Sequence, residues 1–167
     1  LLTCSRFSIN ALKITDREGN TKVREVIRHP GAVVLLPVLE DGRVVMIENH
    51  RHSVGQTLLE LPAGTMESGE PPQATAGREL IEETGYIAGK LEKIHEFYSC
   101  PGICDELMHL YLATDLTAGQ PDRELTEEIE NRIVSRGEIA QLITSGAIRD
   151  AKTLVGLYAL LARPINT

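Results

Sequence analysis

Basic residues, cysteines and long apolar runs are all scarce in this chain of 167 residues. Lys and Arg number 17 against 24 Asp and Glu, giving a formal charge of −7. That balance lacks the basic face a nucleic-acid groove needs, so no nucleic-acid partner is expected. The three cysteines, Cys4, Cys100 and Cys104, are too few for a disulfide framework. Cys100 and Cys104 could make half a metal site, but no second Cys or His pair completes it, so structural zinc is not expected. Reduced thiols and a cytoplasmic location are the expectation. No stretch approaches the roughly 18 apolar residues of a membrane-spanning helix, and no signal peptide is visible, so no membrane partner is expected. No linker, repeat or low-complexity run divides the sequence. A single domain over residues 1–167 is expected, with room for a proper core.

What the chain does have is a dense acidic segment, residues 64–86, reading GTMESGEPPQATAGRELIEETGY. It sets Gly64, Glu70, Arg78, Glu79, Leu80, Glu82, Glu83 and Gly85 in the pattern G-x5-E-x7-R-E-U-x-E-E-x-G-U, where U is a bulky apolar residue. At roughly one in twenty for each fixed residue type, a chance match at a given start is on the order of one in a billion. Pro71 and Pro72 suit the start of a helix, where a missing N–H costs nothing. Gly85 suits the residue just beyond its end. Between them run good helix formers, among them Ala74, Ala76, Leu80 and Ile81. On that helix Glu79, Glu82 and Glu83 stand at i,i+3 and i,i+4 spacing and share one face. Like charges so close repel, so the helix alone does not favour them. A hard divalent cation such as Mg²⁺, held by a few carboxylates together with substrate phosphate, reverses that balance.

Alternating apolar residues predict strands over 5–14 and in TKVREVIRH, joined by the turn DREGN. GAVVLLPV (31–38) is apolar throughout and predicts a strand buried on both faces. The Asp-Gly of residues 40–43 predicts a hairpin that returns 43–49 as its partner. A short strand at 57–61 leads into Pro62-Ala63-Gly64. Further strands are expected near 92–98, 107–113 and 130–135, with a long polar loop over 114–128. GEIAQLITSG (137–146) predicts a short helix, and residues 150–162 predict the last helix, N-capped by Asp150. Strand pairs with helices between and after them predict an α/β layered domain.

The acidic pattern resembles the Nudix box, the signature of hydrolases that cleave nucleoside diphosphates linked to another group. Tyr86 departs from it, since an aliphatic residue is commoner at that place. The resemblance covers roughly residues 20 to 162 and implies the Nudix α/β/α sandwich around a mixed central sheet, with 30–162 as catalytic core. Three further segments resemble the ADP-ribose pyrophosphatase branch: LELPAG (59–64), the CPGICDE of 100–106, and ENHR (48–51) with RHPGAV (28–33). The resemblance implies Mg²⁺-dependent hydrolysis of ADP-ribose or a close relative to AMP and ribose 5-phosphate, with Mn²⁺ as a substitute cation. The alternatives are a Nudix hydrolase of nucleotide sugars such as GDP-mannose, and a non-catalytic nucleotide-binding module.

Residue roles follow from the same resemblance. Glu79, Glu82 and Glu83 would bind the metal, with the Ala63 carbonyl as a backbone ligand, and Glu82 would be catalytic together with Glu124 and Glu127. Gly64, Glu70, Arg78 and Gly85 would build the box, Arg78 ordering it through Glu70 and Glu82. Arg51 would neutralise the diphosphate. Arg28 could reach an adenine or terminal ribose. Glu60, Gly102 and Glu106 would contact the substrate, Glu60 and Glu106 through ribose or adenine groups. In the acidic 114–130 loop Glu127 would be a further metal ligand and Glu124 the base, with Glu127 and Glu128 interchangeable in this alignment. The N-terminal strands within 1–29 would serve a homodimer, as in the resembled branch.

Overall fold

The computed structural model describes residues 1–123 and 128–163. In chain order the elements are β1 (Leu2–Thr3), β2 (Ser8–Thr15), β3 (Thr21–Arg28), β4 (Ala32–Pro37), β5 (Val44–Arg51), β6 (Gln56–Glu60), β7 (Ala63–Thr65), α1 (Pro72–Thr84), β8 (Tyr86–Tyr98), β9 (Leu107–Ala118), β10 (Ile129–Val134), α2 (Arg136–Thr144) and α3 (Ala151–Ala162).

The apolar run of β4 organises the rest. All six of its residues are buried, and their alternation feeds two cores, one on each face. Ala32, Val34 and Leu36 join Val44, Met46, Leu61, Ile139 of α2 and Leu157 of α3. Val33 and Leu35 turn the other way, onto Ala76 and Leu80 of α1 and Tyr111 and Ala113 of β9. Helices therefore cover both faces of a mixed sheet in the order β7-β4-β9-β8, where β4 and β9 run parallel and the other pairs antiparallel. This is the α/β/α arrangement around a mixed sheet that the resemblance implies.

Two expectations need correction. The Asp-Gly turn forms, with Leu39 N–H donating to the Arg43 carbonyl at 2.8 Å, but it does not close a hairpin. β4 and β5 meet only at the Val38–Val44 bridge and then diverge into separate sheets. A strand has two edges, and both edges of β4 are already taken, by β7 and β9. β5 accordingly pairs with β6 and β10. Second, the polar residues after 113 are not all loop. β9 continues to Ala118 because β8 starts directly after Gly85 and pairs Tyr86 with Ala118. Tertiary pairing overrides the polar composition there.

The N-terminal strands form their own three-stranded sheet, β1-β2-β3. It joins the rest where Ile27 N–H donates to the Ile103 carbonyl and Asp105 N–H to the Ile27 carbonyl, at 2.8 and 3.2 Å. Ile14 and Val23 are exposed on it. No helix among the described residues is long and apolar enough to cross a membrane.

Candidate active site

Helix α1 carries the acidic cluster, and its ends are built as its composition requires. Pro72 opens the first turn, where its missing N–H is no loss. Gly85 closes it in the left-handed region, at φ +79°, and donates to the Ile81 carbonyl. A Cβ at Gly85 would also lie 2.8 Å from the backbone nitrogen of Pro121. The segment after β9 can therefore lie directly against the helix terminus. Once there, it answers carbonyls that a helix end leaves unpaired. Asp122 N–H donates to the Glu82 carbonyl at 3.1 Å. Arg123 Nε donates to the Glu83 carbonyl at 2.9 Å, and Asn131 Nδ2 to the Thr84 carbonyl at 2.7 Å. Arg123 also donates to Asn131 Oδ1 at 2.9 Å. A cation at this end suits the helix dipole.

Within the helix, one guanidinium gathers three carboxylates. Arg78 donates to both oxygens of Glu70, at 3.3 and 3.1 Å, to Glu79 at 2.7 Å and to Glu82 at 2.8 Å. The expected partners Glu70 and Glu82 are both present, and Glu79 joins them. The hydrogen bonds to Glu70, and then the charges of Glu79 and Glu82, raise the Arg78 pKa well above its usual range. In return Arg78 holds the Glu70 carboxyl below its ordinary value of 4.5.

The strand before the helix supplies the opposing surface. Gly64 of β7 lies under the Glu79 carboxylate; a Cβ there would come 1.8 Å from Glu79 Cδ. Ala63 N–H donates to Glu83 Oε2 at 2.9 Å, and Glu83 is 4 % exposed. Among the described residues no group of three or more His, Cys, Asp or Glu is preassembled as a metal cage. The donor set nevertheless fits a hard cation. Glu79, Glu82 and Glu83 offer carboxylate oxygens from one face of one helix, beside backbone at Ala63, and all line one cavity.

That cavity has a volume of about 970 Å³, in the size range of small-molecule sites. Of the residues expected from the sequence, Arg28, Arg51, Ala63, Gly64, Arg78, Glu79, Glu82, Glu83 and Glu106 line it. Arg28 is held by Asp105 at 2.7 Å, and Glu106 lies 3.5 Å from His29 Nδ1. Two expectations shift. Gly102 lines a separate groove of about 320 Å³ with Tyr98 and Ile103, because residues 100–104 fold into a tight turn in which Cys104 N–H donates to the Cys100 carbonyl at 2.9 Å. Glu60 is 1 % exposed, with both oxygens engaged by Arg51 at 2.8 and 2.6 Å. It is an anchor for Arg51 and has no face open to ligand. Glu124 and Glu127 lie outside the described residues. The cavity also draws on Arg6 and Phe7 of the turn between β1 and β2, on Asp122, and on Asp150 and Lys152 at the start of α3. Sequence reading missed these as site residues. Asp150 was legible only as a helix cap and Asp122 only as one acid of the 114–130 loop, and Arg6, Phe7 and Lys152 carry no local pattern.

Two outcomes follow from this geometry. Gly64→Ala is expected to leave the melting temperature within about 3 °C, because only the flexible end of Glu79 must move, while cutting turnover at least about tenfold. Unchanged turnover would show that the Glu79 position is immaterial. The Glu70–Arg78 pair contributes stability above the unfolded carboxyl value and loses it as pH falls through the lower folded value. The stability gap between the wild type and Glu70→Gln should therefore be full at about pH 7 and shrink below about pH 4.5 in denaturant titrations. A gap independent of pH would contradict the pairing.

Comparison with known proteins identifies the family. The family model described as NUDIX domain matches residues 27–155. An ADP-ribose pyrophosphatase of Bacillus subtilis is 42 % identical over 85 % of this chain and 78 % of its own length. A methanol dehydrogenase activator of Bacillus methanolicus is 38 % identical over 89 % and 83 %. An ADP-ribose pyrophosphatase of Mycobacterium tuberculosis is 32 % identical over 100 % and 86 %. A solved structure described as an ADP compounds hydrolase superposes with a TM-score of 0.82 at 19 % identity, over 96 % of this chain and 87 % of that one, which shows the shared fold. With the box, its helix and its cavity in place, the chain belongs to the NUDIX family.

Proposed function

We propose that this Nudix hydrolase cleaves the diphosphate bridge of ADP-ribose or a related nucleoside diphosphate derivative, giving AMP and ribose 5-phosphate. One observation carries the reading. The three box carboxylates Glu79, Glu82 and Glu83 line the same cavity as the cations Arg51 and Arg28. That is the charge pattern a metal-bound diphosphate requires. The similarity to two ADP-ribose pyrophosphatases over most of their length supports the substrate class.

Glu79, Glu82 and Glu83 would hold the divalent cation, Mg²⁺ with Mn²⁺ as a substitute, and the Ala63 carbonyl would complete the set. A cation bound there neutralises phosphate oxygens and makes water a better nucleophile near neutral pH. Arg51 is fixed by Glu60 and offers its remaining charge to the diphosphate. Arg28, fixed by Asp105, is placed to meet a ribose or base, and Glu106 to accept from a ribose hydroxyl. Glu124 remains the proposed base and Glu127 the proposed further ligand. Residues 30–162 would form the catalytic core of one domain. The exposed Ile14 and Val23 on the N-terminal sheet support a homodimer, and sedimentation velocity that finds only monomer at micromolar concentration would count against it. A cytoplasmic site of action is consistent with three free cysteines.

Glu83→Gln should lose at least about a hundredfold in turnover while keeping its fold, because it removes charge from the metal-holding face. A near wild-type rate would refute the assignment. In a substrate panel read with and without chelator, ADP-ribose should exceed GDP-mannose, and chelator should abolish both. The reverse preference would move the enzyme to nucleotide sugars, and no turnover of any diphosphate would leave a binding module.

A further inference from the structure

Cys100 and Cys104 bracket Pro101-Gly102-Ile103, directly before Asp105 and Glu106, and both thiols are free. Cys100 is exposed, and Cys104 is partly buried on the wall of the groove of about 320 Å³. The Cys100 carbonyl accepts from Ile103 N–H at 3.1 Å and from Cys104 N–H at 2.9 Å, which makes a single helical turn that goes no further. Such a turn sets its first and last Cα atoms about 6 Å apart, within the span that a disulfide bridges. The matching Cβ atoms stand about 5–6 Å apart, whereas a disulfide needs about 4 Å. Closing the bond therefore has to deform the turn.

The turn is tied through backbone to the main cavity. The Ile103 carbonyl accepts from Ile27 N–H at 2.8 Å, and Asp105 N–H donates to the Ile27 carbonyl at 3.2 Å. On the other side Ser99 N–H donates to the Glu106 carbonyl at 3.2 Å. The Asp105 carboxylate accepts from Arg28 at 2.7 Å and from His29 N–H at 2.9 Å. Arg28, Ser99 and Glu106 line the main cavity. A change in the turn thus reaches Arg28 and Glu106, whereas Glu79, Glu82 and Glu83 stand on a separate element, α1.

We propose that Cys100 and Cys104 form a reversible intrachain disulfide, a modification site whose oxidation weakens the hold on substrate. The oxidant is a small-molecule disulfide such as oxidised glutathione. The exposed Cys100 sulfur attacks one sulfur of the oxidant, whose S–S bond breaks, and the first thiol leaves with one cysteine proton. The Cys104 sulfur then attacks Cys100 and displaces the second thiol, which takes the other proton. The two cysteines lose two electrons, and the oxidant gains them. A bond closed against a resisting turn in an exposed place is readily reduced again. The effect on substrate rests on the proposed diphosphate reading, and the disulfide itself does not.

The test uses the full chain carrying Cys4→Ser, so that these two thiols alone remain. With oxidised glutathione it should lose both thiols to alkylation, and two hydrogens in intact mass, while the subunits stay unlinked. Dithiothreitol should restore both thiols. Hydrogen exchange at the Ile27 and Asp105 amides should quicken at least about threefold in the oxidised form. KM for ADP-ribose should rise at least about fivefold with kcat within about twofold, because substrate contacts are disturbed and the metal-holding face is not. Adding Cys100→Ser should keep KM constant under the oxidant, and adding Cys104→Ser should stop the reaction at a mixed disulfide with glutathione. A glutathione adduct or a linked dimer in place of the intrachain bond would overturn the proposal. So would an intrachain bond that leaves amide exchange or KM unchanged. If neither form hydrolyses ADP-ribose, the proposed function fails separately, and thiol loss, amide exchange and calorimetric binding of ADP-ribose still decide the disulfide.

Discussion

The Arg78 guanidinium, set among Glu70, Glu79 and Glu82 at 2.7–3.3 Å, is the interaction on which the site depends. Three glutamates within five residues of a helix repel one another. Arg78 offsets that repulsion from inside the cluster, and through Glu70 it ties the loop before the helix to the helix itself. It cannot release its proton under any ordinary condition. Arg78 therefore keeps Glu79 and Glu82 together on the face of the cavity where we propose that a divalent cation binds.

Everything else serves to place that face against the backbone of residues 62–64. The β4 strand fixes both partners, since it packs α1 through Val33 and Leu35 and pairs with β7 along its edge. Gly64 lets the Glu79 carboxylate approach main chain that any side chain would block. Glu83 is held by the Ala63 amide. At the far end of α1, Gly85 admits the segment after β9, and Asp122, Arg123 and Asn131 take the carbonyls of Glu82, Glu83 and Thr84. The two carboxylate-bearing residues nearest the helix end thus share their backbone bonds with the acidic segment that follows β9.

Much of this was legible beforehand, and for physical reasons. The box is contiguous in sequence, so helix caps and the i,i+3 and i,i+4 carboxylates could be read from spacing, while the Arg78 partners Glu70 and Glu82 came from the family resemblance. β4 was legible because a strand covered on both faces must be apolar throughout. The failures share a cause, which is pairing over long distance. The Asp-Gly turn after β4 looked like a hairpin, but nothing local reveals that both edges of β4 are occupied by later strands. The polar end of β9 looked like loop because its partner, β8, begins more than thirty residues earlier, at Tyr86. Glu60 looked like a ligand because sequence shows a strand carboxylate without showing Arg51 and Lys152 closing over it. Lys152 itself, in an ordinary helix start, gave no signal until α3 was seen against β6.

The central claim is that the face held by Arg78 opens to a divalent cation. A crystal structure with Mg²⁺ and a non-hydrolysable ADP-ribose analogue tests it most directly. Glu79, Glu82 and Glu83 should then place carboxylate oxygens about 2.1 Å from metal that also touches the diphosphate. Metal density elsewhere, with Glu79 and Glu82 still bound to Arg78 and Glu83 still on the Ala63 amide, would contradict it.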